Sequence, residues 1–238
     1  MNTTMYDKLL KLPLFQGLSR NDLTVILEKV KVEFRSYLPK EYIVQQNDTC
    51  SELIFILNGT VKACTIDSTY KFTLCEEMSN ETLVEPYSLF GLRPFYNASY
   101  QAETLTNVLV IKKIYILPLL CRYDIFNLNY FNLLSSRTQV LQQKLWNTHI
   151  GGTLEKIVHF LVLRCTTNAG MKELTITMED LAGLLNDTRI NVSRALNKMQ
   201  EMGYISLSRK VIKINDLSDL IREADKQQQL AKKSKNRE

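Results

Sequence analysis

The side chains with the clearest chemistry form a basic and polar group near the C-terminus. Arg189, Asn191, Arg194 and Lys198 recur along one predicted helix, opposite its apolar positions. Guanidinium and amide groups can hydrogen bond to DNA base edges, and cations pair with phosphates. The group therefore predicts a helix that contacts DNA. The alternative from the same residues is a pair of amphipathic helices in any α+β domain.

Two short helices must position this group. Thr177 stands three positions before an acidic residue, a spacing typical of a helix start. The first helix is expected to end near Leu185 with Asn186 in the turn, and the second to begin at Asp187 or Thr188. Two helices joined in this way are typical of a helix-turn-helix motif. The second helix is expected to bury Ile190 or Val192, together with Leu196 and Met199.

A basic hairpin is predicted to follow these helices. Gly203 ends the second helix in the manner of a C-cap, and residues 205–214 alternate between apolar and polar. Arg209 and Lys210 fall at the tip of the hairpin. A hairpin after the second helix is the wing of a winged helix, which favours DNA binding over the general α+β alternative.

Composition sets the class of the chain. The 238 residues carry a net charge of +5, of which +4 (15 Lys or Arg less 11 Asp or Glu) lies from residue 150 onward. No apolar run approaches a membrane-spanning length, and the N-terminus does not have the pattern of a signal peptide. The absence of such a run predicts no membrane partner. The five cysteines are scattered and odd in number, which predicts free, mostly buried thiols in a reducing cytoplasm.

The N-terminal half has the pattern of a β domain followed by a long helix. Short β-branched or alternating runs separated by turn residues fill the region from Val30 to Lys112, which predicts a sandwich or barrel. A helix is predicted from Asp124 to Ile150, and Gly151-Gly152 follow it as a joint. Ile125, Val140 and Trp146 are expected to pack on its own β domain. Its apolar seam predicts a parallel homodimer through Phe131, Leu134, Thr138, Leu141 and Leu145.

Three stretches give the chain a recognisable resemblance: LFQGLSRNDL, ELIFILNGTVKA and TITMEDLAGLLNDTRINVSRALNKMQEMGYI. In content and order they resemble the catabolite activator/fumarate-nitrate regulator (Crp/Fnr) family of bacterial transcription factors. The resemblance implies an α+β fold with an N-terminal cyclic-nucleotide-binding-like β-roll, a long dimerisation helix and a C-terminal winged helix-turn-helix. The corresponding predicted domains are residues 1–123, 124–150 and 151–238.

The same resemblance implies roles for particular residues and partners. Thr177 and Thr188 would contact phosphates, and Arg189, Asn191 and Arg194 would face base edges or the adjoining backbone. Family members commonly carry a glutamate that reads a cytosine where this chain has Ile190. The implied partners are an inverted-repeat operator in double-stranded DNA, a second copy of the chain and RNA polymerase. The predicted DNA-binding residues are Thr177, Thr188, Arg189, Asn191, Arg194, Lys198, Arg209 and Lys210.

The effector site departs from the family pattern. Members that bind cyclic AMP carry a Gly-Glu-Leu stretch and then an Arg-Ser or Arg-Thr pair, whose arginine neutralises the cyclic phosphate. Here Tyr96-Asn97 fall where that pair is expected, and Pro86 falls near the glutamate. Cyclic AMP is therefore not expected as the effector. The candidate pocket residues are Tyr87, Ser88, Arg93, Tyr96, Asn97 and Gln142.

Other cofactors and classes have less support. An iron–sulfur cluster is not expected, because no cysteines lie within a few residues of one another. A haem held through a cysteine such as Cys75 or Cys121 remains open, whereas His149 and His159 are expected to be structural. A metal-dependent enzyme of the cupin type would need several converging histidines, and the chain has two. A dimerising module that recruits partner proteins is the remaining alternative.

Overall fold

The computed structural model describes residues 9–78, 81–146 and 151–235, with side chains described up to residue 226. The chain divides into two compact units. The first comprises Met1–Ala63 and Met78–Val140, and the second comprises Cys64–Glu77 and Leu141–Glu238. The predicted boundaries at residues 123 and 150 remain predictions. The observed division differs from them mainly by grouping residues 64–77 with the C-terminal part of the chain.

The first unit is built around an antiparallel sheet. Its four strands lie in the order β1-β8-β3-β6, and β2 pairs with β7 elsewhere in the unit. Residues Leu53–Ile56 of β3 are fully buried because that strand lies inside the sheet and both its faces pack. The strands of this unit are β1 (Val32–Tyr37), β2 (Tyr42–Val44), β3 (Glu52–Asn58), β6 (Thr82–Val84), β7 (Ser99–Ala102) and β8 (Thr106–Lys112). Strands β4 (Val61–Asp67) and β5 (Phe72–Met78) form a hairpin whose residues 64–77 belong to the second unit.

Helices complete the first unit. Helix α1 (Arg20–Lys29) begins with a capping box, in which Ser19 and Asp22 each bond to the other's backbone N–H. The apolar run from Ile114 to Cys121 predicts a short helix, but the structure has two 3-10 turns there, Lys113–Tyr115 and Leu120–Arg122. Pro118 lies between these turns, and because it has no N–H to donate, it disfavours a continuous helix.

Helix α2 (Asp124–Trp146) is the long predicted helix, and residues 147–150 of the prediction lie outside the described part of the chain. The prediction of its packed face was wrong. Phe126 and Tyr130 are the buried residues, and Leu134 packs partly against the same core. By contrast, Ile125, Val140 and Trp146 are exposed. Also exposed are three residues of the predicted seam: Phe131, Leu141 and Leu145.

The second unit has a core of its own, formed by four helices around strands that pair in the order β10-β11-β9-β5-β4, which we call the wing sheet. Strand β9 was not predicted. The Gln- and Lys-rich composition from Lys226 to Glu238 predicts a frayed or disordered end, but the C-terminal helix continues to Lys235. The elements are α3 (Thr153–Arg164), β9 (Lys172–Thr175), α4 (Met178–Leu184), α5 (Arg189–Glu201), β10 (Ile205–Ser208), β11 (Val211–Ile214) and α6 (Leu217–Lys235).

The cysteine prediction was wrong for one pair. Cys64 of β4 and Cys75 of β5 form a disulfide, and their Cα atoms are 4.1 Å apart. Cys50, Cys121 and Cys165 are free. A sequence separation of 11 residues gave no reason to pair Cys64 with Cys75, whereas the turn between β4 and β5 brings them side by side. Within the described residues, no helix is long and apolar enough to cross a membrane.

Candidate nucleic-acid interface

The two helices of the predicted motif are capped by the expected threonines. Thr177 accepts a hydrogen bond from the Asp180 N–H at 3.1 Å, and Thr188 accepts one from the Asn191 N–H at 3.2 Å. Asn186 has a positive φ of 47°, which asparagine tolerates better than most residues. The threonines therefore fix where each helix begins, and their contacts with DNA phosphates stay predictions.

Helix α5 buries one face and exposes a basic one. Val192, Leu196 and Met199 are fully buried, so Val192 is the inward residue of the pair considered from the sequence. Ile190 is 64% exposed, although it is apolar. An isolated apolar side chain on a polar surface can contact the methyl group of thymine. Arg189, Arg194, Asn197 and Lys198 are exposed along the same helix.

Arg189 has one partner in the structure. Its Nη1 lies 3.2 Å from Oε1 of Glu179, and both side chains are more than two-thirds exposed. An exposed pair of this kind contributes only about 0–1 kcal/mol. The guanidinium can therefore leave Glu179 for a base or a phosphate at little cost.

Asn191 was predicted to face DNA, but the structure orients its amide toward the protein. The Nδ2 of Asn191 donates to Oδ1 of Asp187 at 2.9 Å. Asp187 also accepts from the Thr188 N–H at 2.8 Å, Thr153 Oγ1 at 2.9 Å and Lys156 Nζ at 3.1 Å. Its position directly after Gly151-Gly152 predicts Thr153 as the cap of α3, but the N-cap is Gly152 and the threonine hydroxyl donates to Asp187 instead. Asp187 thus connects the start of α3 to the start of α5.

Asp187 gives the motif a predictable pH dependence. Hydrogen bonds from Asn191 and Lys156, followed by those from Thr188 and Thr153, hold the pKa of the Asp187 carboxyl well below its usual value. The folded state therefore binds this proton more weakly than the unfolded state, and the stabilisation is complete above about pH 4 and lost as pH falls below it. Asp187→Asn should unfold more easily than wild type at pH 7, and the difference should shrink toward pH 3 in urea titrations. An equal difference at both values would contradict this role.

The wing places two further cations in solvent. Strands β10 and β11 pair from Ile205↔Ile214 to Ser208↔Val211, and Arg209 and Lys210 form the exposed turn between them. The backbone carbonyl of Lys210 accepts from the Ile176 N–H at 2.8 Å, next to the N-cap of α4. The wing turn and the helix-turn-helix are thereby joined. The predicted cations Arg189, Arg194, Lys198, Arg209 and Lys210 are all exposed in the described part of the second unit.

The predicted effector pocket contains a residue that sequence reasoning missed. Glu85 is 3% exposed, and its carboxylate accepts hydrogen bonds from the N–H groups of Asn97 at 2.9 Å and Ala98 at 3.0 Å. Ser88 Oγ (2.7 Å), Asn97 Nδ2 (2.9 Å) and Tyr100 Oη (3.2 Å) also donate to it. Glu85 has a positive φ of 34°, and these bonds stabilise that conformation. Burial, and then the Glu85 carboxylate, raise the pKa of Tyr100 well above its usual value.

The other pocket candidates differ in their surroundings, and their role in one effector site stays a prediction. Tyr96 is buried and donates to the Glu52 carbonyl at 3.2 Å, and burial raises the pKa of its hydroxyl. The guanidinium of Arg137 lies 3.7 Å from the ring centre of Tyr87. Arg93 is exposed, and Gln142 belongs to the second unit. Among the six candidates, Ser88 and Asn97 each bond directly to Glu85.

The candidate ligands of haem or of a metal ion are cysteines and histidines. Cys75 is in the disulfide, and burial raises the pKa of the half-buried Cys121 thiol. Burial lowers the pKa of His159, and His149 lies outside the described residues. In the part of the chain that the structure describes, no group of three or more His, Cys, Asp and Glu side chains could hold a metal ion.

Comparisons with known proteins agree with this architecture. A family model for the cyclic nucleotide-binding domain matches residues 34–123, and one for the Crp-like helix-turn-helix domain matches residues 155–223. The catabolite activator protein of Thermus thermophilus is 21% identical, with 89% of this chain and 98% of that chain covered and a TM-score of 0.52. The comparison with curated proteins gives no match.

Two further solved structures are similar at TM-scores below 0.5, so they add no argument. The regulator CLP of Xanthomonas campestris is 16% identical over 83% of this chain and 99% of that chain, with a TM-score of 0.49. DNR of Pseudomonas aeruginosa is 18% identical over 92% of this chain and 97% of that chain, with a TM-score of 0.46.

Together, the β-rich N-terminal domain, the long helix and the Crp-like helix-turn-helix define a DNA-binding transcription regulator with a cyclic-nucleotide-binding-like domain. The chain belongs to the catabolite activator/fumarate-nitrate regulator (Crp/Fnr) family. The resemblance stated from the sequence is therefore confirmed, as is the predicted fold class.

Proposed function

We propose that the protein is a homodimeric regulator that binds a specific inverted-repeat operator, acts in the cytoplasm on RNA polymerase, and does not use cyclic AMP as its effector. The observation that carries the proposal is the exposed basic face of α5. Arg189, Arg194 and Lys198 are all exposed there, while the opposite face is fully buried. A helix held in this way can enter the major groove with its N-terminal residues toward the bases.

The roles along α5 follow from position. Arg189 is the first residue of the helix and has one weak partner, so we assign it to a base, where a bidentate contact to guanine is worth about 1–3 kcal/mol of discrimination. Ile190 lies next to it and offers an apolar contact for a thymine methyl. Asn191 supports the helix start through Asp187 instead of reading a base. Arg194 lies more than a turn later and can contact a base or a phosphate.

The assignment of Arg189 predicts a loss of discrimination. Arg189→Ala should lose its preference for one base pair in each half-site and keep its weak binding to random DNA, as measured by competition binding to operator variants at one salt concentration. Lys198→Ala is the control, since Lys198 is an exposed cation further along the same helix, and this change should weaken binding to all sequences by a similar factor. If Arg189→Ala behaved like the control, Arg189 would be a phosphate contact.

The argument against cyclic AMP rests on Glu85. The backbone N–H groups of Asn97 and Ala98, in the stretch where the family pattern has its phosphate-binding pair, already donate to a buried carboxylate. A cyclic phosphate brought to this place would meet a like charge instead of an arginine. The protein's own carboxylate therefore takes the position of an anionic ligand. A haem or another small molecule bound elsewhere by the same architecture is the alternative sensor.

Cyclic AMP should therefore bind too weakly to act at physiological concentration. The missing charge-assisted contact alone weakens binding by about 1.5–3 kcal/mol, or roughly 10- to 150-fold. Isothermal titration calorimetry of the full-length protein should show no binding in the micromolar range. A micromolar affinity would contradict the proposed loss of the cyclic AMP site but would leave the DNA-binding proposal standing.

A further inference from the structure

Strand β5 is an integral part of the second unit's core. It pairs with β9 through four register positions, Thr73↔Thr175 to Glu76↔Lys172, and lies between β9 and β4 in the wing sheet. Phe72 and Leu74 are almost fully buried, and the Phe72 ring packs edge-on against Phe160 with centroids 5.6 Å apart. The winged domain therefore includes a strand that precedes α3 by many residues in the chain.

A polar cluster fixes the end of this strand. Glu76 points to the same side of β5 as Phe72 and Leu74 and lies 3.1 Å from the fully buried Nζ of Lys172. Its carboxylate also accepts from the N–H groups of Thr166 at 2.7 Å and Thr167 at 3.3 Å. Because side chains alternate along a strand, a one-residue slip of β5 would remove both its apolar contacts and this ion pair.

The disulfide lies directly beside this register. Cys75 precedes Glu76 in β5, and its partner Cys64 lies on the neighbouring strand β4. Both cysteines belong to the part of the hairpin that clusters with the second unit. Cys75 is 7% exposed, whereas Cys64 is half-buried and therefore open to a reagent from solvent. The bond holds β5 to β4 at one fixed position.

We propose that Cys64 and Cys75 form a reversible redox modification site whose disulfide fixes β5 in the wing sheet. The oxidant is a protein disulfide or a low-molecular-weight disulfide. The Cys64 thiolate attacks one oxidant sulfur, which forms a mixed disulfide and releases one thiol. The Cys75 thiolate then attacks the Cys64 sulfur, which forms the Cys64–Cys75 bond and releases the second thiol. Two electrons and two protons pass from the cysteine pair to the two released thiols.

The consequence is a wing sheet whose order depends on the redox state of the pair. With the bond closed, the unfolded and slipped forms of the hairpin lose conformational freedom, so the docked form of β5 is favoured. With the bond open, β5 leaves β9 more often and exposes the edge next to the wing. A resulting change in operator affinity rests on the proposed function, whereas the change in order does not.

The test uses the full-length protein equilibrated with oxidised or reduced dithiothreitol. Alkylation and peptide mapping should find Cys64 and Cys75 linked after oxidation and both alkylated after reduction. Amide hydrogen exchange of β5 and β9 should be at least about tenfold slower in the oxidised protein. Cys64→Ser and Cys75→Ser should each abolish that difference, and Cys121→Ser, in the first unit, should keep it.

Two results would overturn the inference. One is free, alkylated Cys64 and Cys75 after oxidation, and the other is equal exchange of β9 in the two redox states. Operator binding, measured on the same samples, separates this inference from the proposed function. Equal exchange with intact operator binding overturns the redox site alone. Redox-dependent exchange without operator binding in either state supports the redox site and contradicts the proposed function.

Discussion

Phe131→Glu together with Leu145→Glu should convert the protein to monomers and lower its operator affinity at least about 100-fold. Both side chains are about two-thirds exposed, at 64% and 65%, on the seam side of α2. Charges placed there would be buried without partners in a dimer, whereas each folded monomer would keep them in water. A monomer contacts one half-site and loses the gain from linking two recognition helices.

The structure also determines which residues make a clean test. Leu134 belongs to the predicted seam but packs partly against the core of the first unit, so a charge there would also destabilise the fold. Val140→Glu is the matched control, because Val140 is 47% exposed on α2 but lies outside the seam. Sedimentation velocity should find dimers for wild type and Val140→Glu, and monomers for the double variant. A double variant that remains dimeric with full affinity would refute this interface.

Glu76→Gln should lower the free energy of unfolding of the second unit by about 3–5 kcal/mol. The reason is the burial of Lys172, whose side chain is completely inaccessible to solvent. The glutamine has one acceptor oxygen, so it can keep one of the two hydrogen bonds from the Thr166 and Thr167 N–H groups, and it leaves the ammonium group without a counter-charge. Urea unfolding followed by a signal from the second unit measures the effect.

Glu173, the residue after Lys172 in β9, supplies the control. Glu173 lies 3.6 Å from Lys213, and the Lys213 side chain is half exposed, so Glu173→Gln should cost less than about 1 kcal/mol. Combining Glu76→Leu with Lys172→Met should recover much of the loss, because the buried charge is removed with its partner. Equal effects of Glu76→Gln and Glu173→Gln would show that the buried pair has no special role.

Local patterns were sufficient for the helices that carry the DNA-binding residues. Thr177 and Thr188 mark the starts of their helices through N-cap patterns that span four residues. The spacing of Leu196 and Met199 indicates the buried face of α5. The choice between Ile190 and Val192 could not be made in this way, because both are apolar and β-branched. The packing of the core decides it. Asn191 had a usable signal, since Asp187 precedes it by four residues and such a pair can hydrogen bond on a helix.

The missed features depend on contacts between distant parts of the chain. From the sequence alone, a lysine at position 172 is expected to be exposed. The structure buries its side chain, because Glu76 on β5 provides the counter-charge. Glu85 accepts one hydrogen bond from a residue near it in the sequence, Ser88, whereas other donors to its carboxylate lie on residues 97–100. Cys64 and Cys75 become neighbours through strand pairing. In each case the sequence shows a residue type that is costly to bury without a partner. Which residue is the partner depends on the fold.

Selection of bound sequences from a random pool of double-stranded DNA, at one fixed salt concentration, tests the central claim most directly. With the full-length protein, we expect enrichment of an inverted repeat whose half-site centres lie about 10 base pairs apart, one helical turn. Arg189→Ala should enrich a repeat with one position per half-site relaxed. A pool that stays random after repeated rounds, while the protein remains folded and dimeric, would contradict the claim that this chain is a sequence-specific DNA-binding regulator.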